Sequence, residues 1–379
     1  MSTAPLIKGW CPGAYRPMLS GDGLVVRIRP RLGRLSRQQA ERLCDLSVEY
    51  GNATLEMTSR ANLQIRGVSE QRFEHLLADL LSANFLDDTP AQETRRNIIV
   101  TPDWQAYGLT ERLHARLLQR LQEFPELPAK MGVALDTGNA PLLSQASADF
   151  RFERGAICPL VLRADGAATG LNVSEEDAVD ALIALMTWFV ETGGARAGRM
   201  ARHLQSVDVA EEFQGVAPLK STKPWHPGQS GVGAVYGAPF GVLDALAFKN
   251  LMASSGASGM RMTPWRLFVL EGAEFEKQTT FVSSTDDPLL GVQACPGAPS
   301  CAQAESSTRD VARKLAGNLP SGHVLHVSGC AKGCAFPKQA DVTLVGANGL
   351  FDLVTEGAAW DEPVARGLLP EDLAKEMIR

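Results

Sequence analysis

Residues 295–301 read Cys295-Pro-Gly-Ala-Pro-Ser-Cys301, and residues 330–334 read Cys330-Ala-Lys-Gly-Cys334. Five residues separate the first pair and three the second, with 28 residues between the pairs. A cuboidal iron–sulfur cluster takes four thiolates, and backbone N–H groups near its sulfurs tune it. Pro296, Gly297, Gly329, Ala331, Gly333 and Ala335 are small or turn-forming, so backbone amides can come close to the sulfurs. Structural zinc prefers ligand pairs about two to four residues apart. The wider first pair favours a [4Fe-4S] cluster on Cys295, Cys301, Cys330 and Cys334 over zinc, and over four unconnected core cysteines.

The chain has 7 cysteines, an odd count that does not suit a disulfide framework. Cys11, Cys44 and Cys158 are scattered, and Cys44 reads as a buried small hydrophobe on a helical face. With 379 residues, 45% of them hydrophobic and 21% charged, the sequence is that of an ordinary globular protein of two or three domains. A net charge of -6 argues against non-specific nucleic-acid binding, so any basic site must be local. Residues 1–11 lack a signal-peptide pattern, and the longest apolar stretch, 178–190, contains Asp180 and is too short to span a bilayer. The expectation is a cytoplasmic protein that is not bound to a membrane.

Outward from the cysteines, Leu24, Val26 and Ile28 alternate with Val25, Arg27 and Arg29, a strand signal. Ser36 and Gln39 form a capping box for a helix with Ala40, Leu43, Cys44 and Ser47 on one face. Gly51-Asn52 stops it. Strands are expected at 54–58 and 63–66, and a second helix around Phe73, Leu76, Leu77 and Leu80. This β-α-β-β-α order is most of a ferredoxin-like unit. A second unit is expected with a strand at 233–236, a helix at 243–252 and a strand at 260–271. Thr58-Ser-Arg-Ala-Asn-Leu63 has a faint echo in Thr263-Pro-Trp-Arg-Leu267. Between the two copies, 97–100 and 132–135 read as strands and 109–124 as a helix. Ser174, with Asp177, caps a helix running to Gly193. After the second copy come a helix at 307–316 and strands at 324–327 and 342–345.

The run Val327-Ser-Gly-Cys-Ala-Lys-Gly-Cys-Ala-Phe-Pro337 resembles the second cysteine pair of the sulfite/nitrite reductase superfamily. Thr58-Ser-Arg-Ala-Asn-Leu-Gln64 resembles its motif with an active-site arginine, Arg95-Arg96-Asn97 its second arginine motif, and Leu127-Pro-Ala-Lys130 with Asp136 its lysine motif. These motifs follow the superfamily's order from 58 to 337. Gly9-Trp-Cys-Pro-Gly-Ala-Tyr-Arg-Pro-Met18, Ser20-Gly-Asp-Gly-Leu24, Trp225-His-Pro-Gly228 and Thr263-Pro-Trp-Arg266 are similar to the branch that acts in aerobic cobalamin synthesis. Phe336 stands where the resemblance leads one to expect histidine.

The resemblance implies an α+β fold: a pseudo-two-fold repeat of ferredoxin-like half-domains and α/β reductase-type domains around a central site. Half-domains are expected at 1–90 and 216–285, a reductase-type domain at 91–215, and the cluster-binding domain at 286–379. It implies a monooxygenase that takes precorrin-3A and O2, hydroxylates C20, closes a γ-lactone and uses NADH as ultimate reductant. The implied cofactors are the [4Fe-4S] cluster and a mononuclear non-haem iron. A sirohaem-dependent sulfite or nitrite reductase is the alternative, because the last cysteine can also reach a sirohaem iron in that superfamily.

Precorrin-3A carries many carboxylates, and arginine forks bind carboxylates bidentately. Arg60, Asn62, Arg66, Arg95, Arg96 and Lys130 are the expected substrate-binding residues, with Arg60, Arg96 and Lys130 at the reacting end. Arg60 and Arg66, an even number of residues apart, would share a strand face. The usual non-haem iron set is two histidines and a carboxylate. With 6 histidines and no His-x-Asp/Glu pair, His226 is the best single candidate, while His323 and His326 read as strand or core residues. Gly231-Val-Gly233 meets Tyr236 where a nucleotide fingerprint needs glycine. Electrons from NADH are therefore expected through a separate reductase or a small ferredoxin.

Overall fold

The computed structural model describes residues 12–377. The segment with Trp10 and Cys11 lies outside them.

The chain begins with β1 (Met18–Ser20), β2 (Gly23–Ile28), β3 (Arg34–Ser36), α1 (Arg37–Tyr50), β4 (Thr54–Met57), β5 (Leu63–Val68) and α2 (Phe73–Ser82). Ser36 and Gln39 form the expected capping box, and the Gly51 N–H closes α1 on the Ser47 carbonyl. Next come α3 (Pro90–Arg95), β6 (Ile98–Val100), α4 (Leu109–Gln119), β7 (Val133–Asp136), β8 (Phe150–Glu153), β9 (Val161–Ala164), β10 (Leu171–Asn172), α5 (Ala178–Glu191), α6 (Gly194–Ala197) and α7 (Met200–His203). The helix expected at 109–124 ends at Gln119, where Arg120 leaves helical geometry at φ -116°. The Ser174 hydroxyl does accept the Asp177 N–H, but it closes a turn one residue set ahead of α5 rather than capping the helix.

The third stretch holds β11 (Gly228–Gln229), β12 (Gly233–Gly237), β13 (Val242–Asp244), α8 (Ala245–Ser255), β14 (Gly259–Met262) and β15 (Leu267–Glu271). The strand expected at 260–271 is thus a hairpin, folded at Thr263–Arg266. The helix expected from 243 starts at Ala245, capped by the Asp244 carboxylate, because 242–244 is already a strand. The last stretch holds β16 (Val292–Ala294), α9 (Arg309–Leu315), β17 (Leu325–Ser328), β18 (Ala340–Ala347), β19 (Leu350–Gly357), β20 (Ala365–Leu368) and α10 (Leu373–Glu376).

Four five-stranded sheets result, in two matching pairs. The ferredoxin-like sheets have the orders β1-β2-β5-β4-β13 and β11-β12-β15-β14-β3. Each copy lends one strand to the other. β13 pairs antiparallel with β4, Leu243 opposite Leu55, and β3 pairs with β14, Leu35 opposite Met260. Matching kinks send both strands across: Leu32 and Gly33 have φ 56° and 60°, and Phe240 and Gly241 have φ 59° and 80°. At Gly241 a Cβ would stand 2.6 Å from the Met57 carbonyl oxygen, so only glycine lets the strands close up.

The exchange makes one core of the two copies. Leu43, Leu46, Leu55 and Ile65 of the first are buried in the same cluster as Leu243, Phe248 and Phe268 of the second. Fully burying each such side chain contributes about 1.5–3 kcal/mol, so neither sheet is expected to be stable without its mate.

The other two sheets have the orders β10-β9-β8-β7-β6 and β16-β17-β18-β19-β20. In each, three parallel strands (β6, β7, β8; β16, β17, β18) are followed by two antiparallel ones. Parallel strands leave their connections at common ends, and the loops leaving the carboxyl ends of β16 and β17 are the two cysteine loops.

Buried His114 ties α4 to the first kink, its Nε2 accepting the Leu32 N–H at 3.4 Å. Burial first, and then the charges of Arg96 and Arg31, draws its pKa from 6.5 down to about 4. The neutral ring is therefore favoured by folding, a stability present above pH 6.5 and lost as pH falls toward 4. Asp136 has the opposite sign. Burial lifts it to about 6, so its contribution is present below its ordinary value and lost as pH rises to 6. The two partly cancel in the unmodified protein. A His114→Gln variant isolates the first: between pH 6.5 and pH 5 it should gain about 1.5–2 kcal/mol relative to the parent in urea unfolding. A difference that does not change with pH would exclude His114 as the titrating group.

Candidate cluster and tetrapyrrole site

Ala294 at the end of β16 lies beside Val327 of β17, so Cys295 and Cys330 leave the same edge of the sheet. The two loops are laced together. The Cys295 N–H donates to the Val327 carbonyl at 3.4 Å, the Gly329 N–H points at Cys295 Sγ at 3.2 Å, and the Glu305 N–H donates to the Gly329 carbonyl at 2.8 Å. Thr308 Oγ1 holds the Cys295 carbonyl at 2.6 Å, and the Cys301 N–H turns back to Gly297 at 2.8 Å.

Burial pushes the Cys330 thiol above its ordinary value, and the charges of Cys295 and Cys301 push the same way. Cys334 is exposed to solvent, yet it stands within electrostatic reach of the other three. Four thiols on one edge, with a backbone N–H already aimed at one sulfur, fit a cuboidal cluster. Among the described residues no three His, Cys, Asp or Glu side chains gather closely enough to hold a single metal ion. A cluster needs no such closeness, because four irons and four sulfides separate its thiolates. A mononuclear iron does need it. His226 is exposed on the loop before β11, and the described residues do not make that second site.

The first cysteine loop is gripped from the first ferredoxin-like sheet. The Ser300 carbonyl accepts from the Gly21 N–H at 3.1 Å, Ser20 Oγ at 2.6 Å and Arg66 Nη2 at 2.9 Å. A Cβ on Gly21 would come within 2.0 Å of the Pro299 carbonyl oxygen, so the loop lies directly on the backbone. Arg66 is buried and also holds Asp22 through Nε at 3.0 Å and Nη2 at 2.8 Å, and Glu56 at 3.4 Å. Glu56 in turn pairs with Arg309 of α9.

Arg60 goes elsewhere. It sits in the turn before β5, not on the strand, so the shared face expected for Arg60 and Arg66 does not exist. Its Nη2 donates to the Lys130 carbonyl at 2.5 Å and lies 3.4 Å from Ser147 Oγ. The structure thus brings Arg60 and Lys130 together, with the Lys130 side chain exposed. Asn62 is buried behind this turn. Arg95 lines a hollow of about 450 Å³ with Asn97, Leu127 and Met131, and its Nη1 donates to the Gln122 carbonyl at 2.9 Å. Arg96 is 3% exposed, with Nε on Asp87 at 2.6 Å, Nη2 on Glu93 at 2.7 Å and Nη1 on the Arg29 carbonyl. Its guanidinium is engaged at every nitrogen by its own chain, which suits a buried structural post rather than the expected place beside a substrate.

The Thr58 turn is repeated in the second copy. Thr58 Oγ1 accepts the N–H groups of Arg60 (3.3 Å) and Asn62 (3.2 Å); Thr263 Oγ1 accepts those of Trp265 (3.3 Å) and Leu267 (3.2 Å). Ala61 and Arg266 both have positive φ, at 53° and 61°. Trp265 therefore stands where Arg60 does, and Arg266 where Ala61 does. The short echo in the sequence is a real repeat, but aligning the two arginines by eye would misplace them by one residue. His326 of β17 is fully buried, its ring 6.0 Å from that of Phe336, in the core role expected of it.

No helix among the described residues is long and apolar enough to cross a membrane. Residues 16–83 match the nitrite/sulfite reductase ferredoxin-like half domain. The chain is 27% identical over 401 aligned residues to the precorrin-3B synthase of Sinorhizobium sp., covering 96% of this chain and 86% of that one. It is 24% identical to the ferredoxin–nitrite reductase of Synechococcus elongatus, covering 89% of this chain and 79% of that one. Among solved structures, the Mycobacterium tuberculosis NirA protein superimposes with a TM-score of 0.67 over 93% of this chain and 79% of that one, at 17% identity. The chain has the fold of the nitrite and sulfite reductases and, along nearly its whole length, resembles precorrin-3B synthase.

Proposed function

We propose that this chain is a precorrin-3B synthase, a monooxygenase that hydroxylates precorrin-3A at C20 and lets the ring-A acetate close a γ-lactone. One atom of O2 enters the product and the other leaves as water, with two electrons and one proton drawn from NADH and a second proton from solvent. The observation that carries this reading is the likeness to precorrin-3B synthase along 96% of the chain. In support, four thiols gather where β16 and β17 end, and Arg60 reaches the Lys130 backbone carbonyl, which brings the two basic motifs of the chain together.

Cys295, Cys301, Cys330 and Cys334 hold the cluster, which supplies electrons one at a time. Arg60 and Lys130 receive substrate carboxylates; an acidic chain must gather positive charge locally to bind a polyanion. Arg95 reaches the adjacent hollow from α3. Arg66 acts on the other side, fixing the Cys295–Cys301 loop through Ser300. A separate reductase or small ferredoxin brings the electrons, and the reaction belongs to the cytoplasm. A mononuclear iron has no ligand set in the described residues, and no step is assigned to one.

A charged hydrogen bond to a carboxylate contributes about 1.5–3 kcal/mol. Arg60→Ala should therefore weaken precorrin-3A binding roughly tenfold to a hundredfold while iron and sulfide stay at the parental level. Unchanged affinity would remove Arg60 from the site.

The second reading is a sirohaem-dependent sulfite or nitrite reductase, favoured by the exposed Cys334 thiol and by the likeness to ferredoxin–nitrite reductase. The visible spectrum of anaerobically purified protein separates the two. The proposal expects a broad brown shoulder from the cluster alone. Strong Soret and long-wavelength bands of sirohaem would sink it.

A further inference from the structure

Arg266 ends the Thr263 turn with its guanidinium directed at the cysteine loops. Its Nη2 donates to the Ala335 carbonyl at 3.2 Å, one residue beyond Cys334. Its Nη1 is buried and has no hydrogen-bond partner among the described residues. Two neighbouring arginines are matched, Arg66 by Asp22 and Glu56 and Arg309 by Glu56, and Lys332 adds a second positive charge from within the Cys330–Cys334 loop. Among the described residues Arg266 forms no salt bridge. The cavity beside it, about 20 Å³ and lined by Phe240, Trp265 and Gln293, has room for one water and no anionic substrate. A water could satisfy the N–H but could not balance the charge.

A cuboidal core on four thiolates is doubly negative when oxidised and triply negative when reduced. We infer that Arg266 is the counter-charge of the reduced cluster, a positioning residue that raises the cluster's reduction potential from the side of the second ferredoxin-like copy. The inference rests on the cluster reading above. It also accounts for the left-handed backbone at Arg266, φ 61°, where the first copy has the small Ala61. The turn accepts that strain while presenting a long cation to the Cys334 loop. Burial first, and then Arg309, draws the guanidinium pKa down to about 10, still far above neutrality, while Glu56 and Cys295 favour its charge. It is therefore a cation at neutral pH.

The test is an EPR-monitored redox titration of anaerobically reconstituted full-length protein, with iron and sulfide measured first. Parent, Arg266→Gln, Arg266→Met and Arg266→Lys are compared. The neutral variants should retain iron and sulfide, but at the parental midpoint potential their ratio of reduced to oxidised cluster should fall about tenfold, which is about 59 mV for one electron. The lysine variant should recover most of that loss. A neutral variant with a full cluster and the parental midpoint overturns the inference. If neither neutral variant assembles a cluster, recovery by lysine at the parental midpoint supports the charge role. Failure of lysine as well makes Arg266 a structural post and also overturns it. A parent protein that takes up no cluster would instead break the cluster reading on which this rests.

Discussion

Cys334→Ser should remove the cluster and the activity together. Cys334 is the most exposed of the four cysteines, and the backbone bonds that lace the two loops run through Cys295, Cys301, Gly329 and Glu305. The polypeptide is therefore expected to keep its circular dichroism spectrum while losing its iron. A hydroxyl is a poor replacement, because it does not ionise near neutrality as a thiol can and is a harder ligand. Chemical analysis for iron and acid-labile sulfide decides the matter. The expected result is a folded, colourless protein; about four of each per chain in the variant would remove Cys334 from the cluster.

Glu56→Ala should cost about 3–5 kcal/mol in denaturant unfolding, because removing one partner leaves buried charges uncompensated. Glu56 is 7% exposed and joins Arg66 of β5 to Arg309 of α9. Without it, Arg309 loses its carboxylate partner beside the nearby Arg266, and Arg66 keeps only Asp22, at the joint between the first ferredoxin-like sheet and the cluster loops. The effect should reach the cluster, since Arg66 also grips the Ser300 carbonyl. Slower uptake of iron and sulfide on reconstitution is the accompanying expectation. A loss below about 1 kcal/mol would show that the pair is as dispensable as an exposed one.

The elements of the first ferredoxin-like unit were legible because their signals are local. The Ser36–Gln39 capping box, the Gly51 stop and the β-branched apolar run of β2 each lie within a few residues. The strand exchange was not legible. β3 and β13 are three residues each, too short for periodicity, and each finds its partner more than 180 residues away in sequence. The hairpin hidden in 260–271 escaped for a local reason: a threonine hydroxyl makes the turn, and no glycine or Asn-Gly pair announces it.

The site divides in the same way. The cysteine pattern implied a common locus, and parallel pairing of β16 with β17 provides one. The arginines could not be sorted from sequence, because an arginine that binds a ligand and one that locks a buried carboxylate use the same fork. Arg66 and Arg96 meet partners from distant segments, Ser300 and Asp22 for the first and Asp87 and Arg29 for the second. Arg266, which the turn hid behind its neighbour Trp265, carried no signal beyond its place in the Thr-Pro-Trp-Arg run.

The most direct test of the whole account is incubation of the reconstituted protein with precorrin-3A, a reductant and 18O2, with the product examined by mass spectrometry. The expected product is a lactone that carries one labelled oxygen. A protein with an intact cluster that yields no labelled hydroxylated product would contradict it.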